Sequence, residues 1–408
     1  MGRSIARWHQ VLKMGQRVAY LTHYAELYGA NRSLLDLVLC ARNEHGVKPL
    51  VIIAEEGPLL EALEANGVEC AVIPFVPWMH KQVYMGGPHH RLMQWWRYRQ
   101  QGKERDRWNA EQMPELIRRC KQWNVDLVHV NSSVIGLGPE LANACAIPLV
   151  WHIRELPFAH YEFRVDGGTE RYCKALRAAD RIIAISEAVR ADVGSLIGNG
   201  SHITIVGNGV ADTARMLQLE QASSERWSST GPFTFLQLAI FHPSKGQLDA
   251  VEAFAQLHAQ EPDTRLILAG GGAQEEARAR IKALGISDSV ELPGYINDPF
   301  AAMAQAHCLL QCSKDEAMGR ATVEAMASGL PVIGHASGAT PELIAAGTSG
   351  HLYAGIDELV QHMLDLVRNK ERAARMGAGG HMRVQHSATI EAMTQAVVRV
   401  YATLCAGS

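Results

Sequence analysis

The sequence predicts an α/β protein made of two doubly wound, parallel-sheet lobes in series. Three observations predict it. From Arg17 onward, apolar runs of strand length alternate with longer stretches of helical spacing. At 408 residues with 47% hydrophobic side chains, the chain is longer than one core usually serves and has apolar material for two. The rhythm also breaks once, at the polar stretch "ADTARMLQLEQASSERWSSTGP", and then restarts.

In the first lobe, residues 1–210, the strands read as "RVAYLTH", "KPLVIIAE", "CAVIPF", "VDLVHVNS", "IPLVWHI", "RIIAIS" and "ITIVGNG". "NRSLLDLVLCARNEHG" and "GPLLEALEANG" supply crossover helices between them. Residues 211–232, Ser-rich with a closing Gly-Pro, cannot furnish a central strand and read as a connector. A second lobe over 233–387 begins with "FTFLQLAI" and continues through "TRLILAGGG", "SVELPGY", "CLLQCS" and "LPVIGHAS". A final helix over about 388–408 is expected to pack back on the first lobe. Open α/β sheets take ligands at the carboxyl ends of their strands, so function is expected in the cleft between the lobes.

Composition closes off several classes. With 39 Lys and Arg against 42 Asp and Glu, a net charge of -3 gives no global reason to bind nucleic acid. The eight cysteines (Cys40, Cys70, Cys120, Cys145, Cys173, Cys308, Cys312, Cys405) form no CxxC pair and no His/Cys cluster at zinc spacing. They read as reduced thiols of a cytosolic protein. The N-terminal "MGRSIARWHQVLKMGQR" lacks a continuous apolar core, so no signal peptide is expected, and Ala6 breaks the N-myristoylation pattern. No uncharged apolar run reaches the roughly 18 residues of a membrane span.

Residues 75–123 depart from the strand and helix rhythm. Ten Lys or Arg face four acids there, interleaved with Trp78, Trp95, Trp96, Trp108 and Trp123. Such a stretch can lie at a membrane interface or clamp an anionic acceptor; alternatively it is a solvated helical hairpin whose tryptophans pack on the lobe.

The chemistry gathers in the second lobe. "CLLQCS", "KDEAMG" and "RATVEAMAS" read as strand, loop and helix, closed by Gly329 and Pro331. The unpaired N–H groups of that helix's first turn make an anion site that Gly319 lets a phosphate approach. Glu316 and Glu324 suit sugar hydroxyls and a ribose diol on either side of the phosphate. Equally, Glu316 is a first-turn charge and Glu324 a partner for Arg320 at i, i+4, and spacing leaves both readings open. "HPSKG" places Lys245 at the start of another helix, where it can neutralise a diphosphate. "GATPELI" forms a third junction with Gly338, Thr340 and Glu342.

The stretch from Ser313 to Ile344 resembles the signature of family 4 retaining glycosyltransferases, which have the two-lobed GT-B fold. The resemblance lies in Glu316 and Glu324 followed by "EAMASGLPVI" and "GATPE", and extends to "YGANRSLLDLV", "WHIRE", "AISEAVR", "VGNGV" and "HPSKG". It implies that Glu316 contacts the donor sugar's hydroxyls and Glu324 the nucleotide ribose. Backbone N–H groups of Ala317, Met318 and Gly319 line the sugar and phosphate; Lys245 binds the diphosphate, which Gly29 and Ala30 approach from the first lobe. His152 holds a sugar hydroxyl near the reacting carbon, and Tyr295 and Ile296 form the base-binding edge.

Three positions depart from the family pattern. Ile240 stands where an arginine is common, and Arg320 is the candidate to replace it; Tyr28 stands where a glycine is usual; Asp212 falls one place late and is assigned no role.

The implied reaction is same-face transfer from a nucleotide-diphosphate sugar, a UDP-sugar first and GDP-mannose second, to a glycan or lipid-linked hydroxyl. No DxD motif occurs, so neither a metal nor another cofactor is expected. The implied location is cytoplasmic, with peripheral contact at the inner face of the cell membrane. Two rival readings are a nucleotide-sugar epimerase or hydrolase of the same fold and a non-catalytic nucleotide-sugar-binding subunit.

Overall fold

The computed structural model describes residues 15–198, 200–227 and 231–405; the leader and myristoylation readings fall on residues outside these. The chain forms two compact units, Met1–Gly207 with Met393–Ser408, and Asn208–Ala392.

The first unit is a seven-stranded sheet of order β3-β2-β1-β5-β6-β8-β9. Its strands are β1 (Arg17–Thr22), β2 (Lys48–Ile53), β3 (Glu69–Val72), β5 (Leu127–Val130), β6 (Leu149–Ile153), β8 (Arg181–Ala184) and β9 (Ile203–Ile205). All pairs are parallel, from Val18 opposite Leu127 to Ile182 opposite Ile203. The central strands are covered on both faces, which is why they read as unbroken apolar runs. The crossovers are α1 (Gly29–His45), α2 (Pro58–Ala65), α3 (Pro88–Gln122), α4 (Gly138–Cys145), α5 (Thr169–Arg177) and α6 (Glu187–Ile197). Helix α15 (Ile390–Cys405) places Val397 and Tyr401 in the same core as Tyr20, Leu34 and Val51.

Two features here differ from the sequence reading. A short antiparallel ribbon joins β4 (Met79–Lys81) to β7 (Phe163–Val165), pairing Met79 with Val165. The basic segment is one 35-residue helix rather than a hairpin, and it runs through Pro114. Its tryptophans divide: Trp78, ahead of the helix, is buried, whereas Trp95, Trp96 and Trp108 are exposed.

The second unit is a six-stranded sheet of order β12-β11-β10-β13-β14-β15, again parallel throughout. Its strands are β10 (Phe233–Leu238), β11 (Thr264–Ala269), β12 (Val290–Gly294), β13 (Cys308–Gln311), β14 (Val332–His335) and β15 (Gly350–Tyr353). Covering helices are α8 (Gln247–His258), α9 (Glu275–Ala283), α10 (Pro299–Ala304), α11 (Arg320–Ala327), α12 (Thr340–Leu343), α13 (Ile356–Arg368) and α14 (Lys370–Val384). Phe233, Phe235, Leu310, Ile333, Met363 and Met376 share one core.

Most of residues 211–232 is helix, α7 (Thr213–Arg226). Asp212 explains its start, since its Oδ1 accepts from the Arg215 N–H at 2.7 Å in the manner of an N-cap. At its end Arg226 is buried and donates to the carbonyls of Ser328 at 2.9 Å and Met303 at 3.3 Å, tying α7 to the ends of α11 and α10.

Helix α14 fixes the other side of α11. A methyl group on Gly377 would stand 2.0 Å from the Gly329 carbonyl oxygen just past that helix. Alanine would gain about 1 kcal/mol of helix propensity, but the clash is with backbone that cannot swing aside. Gly377→Ala is therefore expected to destabilise the second unit by about 1–3 kcal/mol in urea unfolding; a stabilised variant would show that α14 does not seat against α11.

Candidate functional site

Strands β10, β13 and β14 are neighbours in the sheet and run parallel, so the three junctions singled out in the sequence leave one edge side by side. Backbone contacts knit them together. The Ala339 N–H donates to the Glu316 carbonyl at 2.8 Å, and the Lys314 N–H to the Ser244 carbonyl at 3.3 Å. The Asp315 N–H donates to Ser337 Oγ at 2.8 Å.

Glycines permit this closeness. Gly246 has φ +65 and a Cβ there would meet the Cys312 carbonyl oxygen at 2.4 Å; Gly338 has φ +58 and would meet the Glu316 carbonyl oxygen at 2.4 Å.

The side chains converge accordingly. Lys245, closing the turn Pro243–Lys245 after β10, reaches Glu316 in the loop after β13, with Nζ 2.8 Å from Oε2. Both side chains are largely out of water, at 12% and 16% exposed. Gln237, within β10, donates to the Lys245 carbonyl at 2.6 Å and so holds the turn.

Gly319, at φ +77, is the residue before α11; its Cβ position lies 3.4 Å from Glu316 Cγ and 2.7 Å from Gln311 Nε2. Glu316, Gly319 and Lys245 thus form one constellation. Ala317 and Met318 are buried between them in sequence, and Met318 Sδ accepts from the Asn208 N–H at 3.3 Å.

One turn along, Arg320 donates through Nε to Glu324 Oε1 at 2.8 Å, and Glu324 is buried. The i, i+4 partner of the sequence reading is therefore present. Arg320 also donates to the Gly209 carbonyl at 3.3 Å. Buried hydroxyls of Ser313, Thr322 and Thr340 have no hydrogen-bond partner among the described residues, and such atoms suit a polar ligand.

Tyr295 and Ile296 follow edge strand β12, where Tyr295 is half exposed. A hollow of about 510 Å³, lined by His242, Ser244, Gln247, Asp249 and Lys314, shares the turn that Lys245 closes; neither Tyr295 nor Ile296 lines it.

Gly29, Ala30 and His152 belong to the first unit. Gly29 and Ala30 open α1, with Tyr28 before them and no side chain capping the helix. Asn31 braces this loop: it accepts from Thr22 Oγ1 at 2.8 Å and donates to the carbonyls of Tyr24 at 2.8 Å and Glu26 at 2.9 Å.

His152, in β6, is fully buried, its Nδ1 3.3 Å from Arg154 Nη2. A guanidinium has no lone pair, so Nδ1 must accept, and the neutral ring carries its proton on Nε2. That Nε2 is buried without a partner among the described residues. Arg154 is itself oriented by Asn131 Oδ1 at 2.6 Å, and Glu155 accepts from Ser132 Oγ and from the Ser133 N–H at 2.7 and 3.0 Å.

Burial above all, then Arg154 and His129, pushes the His152 pKa well below the usual 6.5. Sequence reading overlooked Asn31 and Arg154; their roles depend on what lies across the fold. It also overlooked Cys40, Glu44 and His45, whose ligand atoms gather within 4.8 Å on α1.

Comparison with known proteins accords with this geometry. Residues 28–214 match the family described as Glycosyltransferase Family 4, and residues 220–382 that described as Glycosyl transferases group 1. Glycogen synthase of Mycobacterium tuberculosis is 26% identical over 277 residues, covering 62% of this chain and 64% of its own length. A GDP-mannose-dependent alpha-(1-6)-phosphatidylinositol monomannoside mannosyltransferase of Mycolicibacterium smegmatis is 29% identical over 220 residues, covering 50% and 56%. The chain thus spans less than two thirds of the length of these curated relatives. Among solved structures, Anabaena HepE with UDP and glucose superposes with a TM-score of 0.76 at 20% identity, over 95% of this chain and 100% of that one. This likeness establishes the GT-B fold.

The buried imidazoles make a stability prediction. His129, whose pKa burial and Arg154 lower to about 3, and His152 are neutral when folded but take up protons near 6.5 when unfolded. Their contribution is therefore complete above pH 6.5 and is lost as pH falls toward the folded pKa. The melting temperature is expected to drop steadily below pH 6.5, less steeply in a His152→Asn variant; identical slopes would show that His152 is not held neutral.

Proposed function

Because the chain belongs to the family 4, group 1 glycosyltransferases, we propose that it is a retaining enzyme transferring a sugar from a nucleoside-diphosphate donor to an acceptor hydroxyl. One observation carries this reading: Lys245 and Glu316 meet beside Gly319 at the head of α11. A diphosphate sugar offers each a new partner. Its phosphates draw the Lys245 ammonium, and its sugar hydroxyls donate to the Glu316 carboxylate.

The remaining roles follow the chain. N–H groups of Ala317, Met318 and Gly319 receive sugar and phosphate oxygens, Glu324 takes the ribose diol, and Tyr295 and Ile296 flank the base. Gly29 and Ala30 approach the diphosphate, and His152 donates its Nε2 proton to a sugar hydroxyl. Arg320 supplies the second cation that Ile240 cannot.

In the reaction the acceptor oxygen bonds to the anomeric carbon as the bond from that carbon to the phosphate oxygen breaks. The electron pair stays on the leaving diphosphate, which takes the acceptor's proton on the same face. Negative charge grows on that diphosphate, where Lys245 and the first-turn N–H groups of α11 act. These groups stand in for a divalent cation, and no metal is required.

A UDP-sugar is the first choice of donor, supported by the UDP and UDP-glucose complexes of HepE; GDP-mannose is the second, supported by the mannosyltransferase relatives. The acceptor is a glycan or lipid-linked hydroxyl, as the relatives' names suggest. Residues 75–123 give the cytoplasmic enzyme peripheral contact with the inner face of the cell membrane.

The test is a panel of UDP- and GDP-sugars with candidate acceptors, with product anomers assigned by NMR. Lys245→Ala is expected to lower kcat by about 10²–10³-fold and Glu316→Gln by about 10–100-fold. Turnover should survive chelator unchanged, and Arg320→Ala should reduce it. Inverted product, epimerised sugar formed without acceptor, or donor binding without turnover across the panel would each overturn the reading.

A further inference from the structure

Among the described residues, nothing buries the first three turns of the longest helix. In α3 the buried residues are Gly102, Asn109, Met113, Leu116 and Cys120, a stripe that seats the rest of the helix on the first unit. Before Gly102 no residue of α3 is buried, although Leu92, Met93, Trp95 and Trp96 stand there. Met93 is 57% and Trp96 61% exposed. Leu92, Trp95, Trp96 and Arg99 recur at three- and four-residue steps and so share a face.

This is a built surface. The preceding loop is clasped to the helix by the Met85 N–H donating to Gln94 Oε1 at 2.9 Å and the Val83 N–H donating to Tyr98 Oη at 3.0 Å. The loop adds exposed Val83 and Met85 to the apolar face.

Charge identifies the occupant. From Lys81 to Lys103 the sequence holds no Asp or Glu, while Arg91, Arg97 and Arg99 lie between them. Arg99 stacks over the Trp95 ring at 4.8 Å. Beside this face a hollow of about 560 Å³ is lined by Tyr84, Trp95, Tyr98, Arg99, Lys103 and Arg164. The carboxylates in its wall are engaged: Asp166 pairs with Arg105 at 2.8 Å, and Asp106 with Arg171 at 2.8 Å.

We propose that this face docks on an anionic phospholipid bilayer, with a lipid phosphate seated in the hollow among Arg99, Lys103 and Arg164. Leu92, Met93, Trp95 and Trp96 then lie at headgroup depth, where aromatic rings with a polar edge are favoured. A second copy meeting this face with its own would bring cations against cations. Among the described residues no helix is long and apolar enough to cross a membrane, so the contact is interfacial. The proposal rests on the reading of residues 75–123 as a membrane contact and assigns its face and its ligand.

Co-sedimentation of the full chain with vesicles tests it, using phosphatidylcholine alone and phosphatidylcholine with roughly one third phosphatidylglycerol. Binding is expected only to the anionic vesicles and should weaken with salt. The variant Arg99→Gln/Lys103→Gln/Arg164→Gln should bind roughly a hundredfold more weakly, each cation near the surface contributing about a fivefold factor. Trp95→Ser/Trp96→Ser should also lose affinity, and Arg118→Gln/Arg119→Gln near the far end of α3 should not. Unchanged thermal unfolding shows that each variant is folded.

The failures separate. No binding to either vesicle overturns the membrane contact itself. Binding to anionic vesicles that survives both the cation and the tryptophan variants leaves the contact but overturns this face. Equal binding to the phosphatidylcholine vesicles overturns the requirement for an anionic lipid, and with it the proposal. Self-association in ultracentrifugation that the tryptophan variant abolishes assigns the face to a second copy and overturns the proposal.

Discussion

A lysine ammonium and a glutamate carboxylate 2.8 Å apart and mostly withdrawn from water constrain everything at the carboxyl edge of the second sheet. Each charge has lost most of its hydration, a loss that only a partner of opposite sign with good geometry offsets. The backbone must therefore hold two loops, 71 residues apart in sequence, in register. Adjacent parallel strands do this, together with glycines at 246 and 338 that let neighbouring loops touch. In the proposed site, a ligand carrying phosphate and hydroxyls would replace each partner with one of matching character.

The first unit meets the same difficulty by a different route. His129 and His152 lie in its core with no carboxylate bonded to them among the described residues; burial keeps them neutral, and neighbouring Arg154 reinforces this. The hydrogen bond from Arg154 decides which nitrogen of His152 keeps its proton. A buried N–H donor with no acceptor among the described residues is costly unless something fills the space. Tyr401, within 2.7 Å of His129 Nδ1, makes the last helix part of this network.

Much of the architecture was legible because burial on both faces turns central strands into plain apolar runs; all seven strands of the first sheet and five of the second overlap stretches so identified. The exceptions have physical causes. The β4–β7 ribbon pairs three-residue segments over 80 residues apart, so neither segment carries a pattern of its own. In α7 the serines and the Gly-Pro hide a helix that the Asp212 cap and the buried Met216 and Leu219 support once α10 and α11 provide a surface. Gly102 and Pro114 mark breaks in most helices. In α3, Gly102 is needed instead where Asp166 passes, 2.8 Å from the position a Cβ would take.

By itself the sequence determined which residue types stand at the strand-to-helix junctions and that three such junctions belong to the second lobe, since local periodicity and turn chemistry depend on near neighbours. Only the tertiary structure decided who meets whom: Lys245 with Glu316, Glu324 with Arg320, His152 with Arg154, and the first turns of α3 left unburied among the described residues. Pairing and protonation follow from distance and hydration, and both are settled by chain segments far apart in sequence that only the folded sheet brings together.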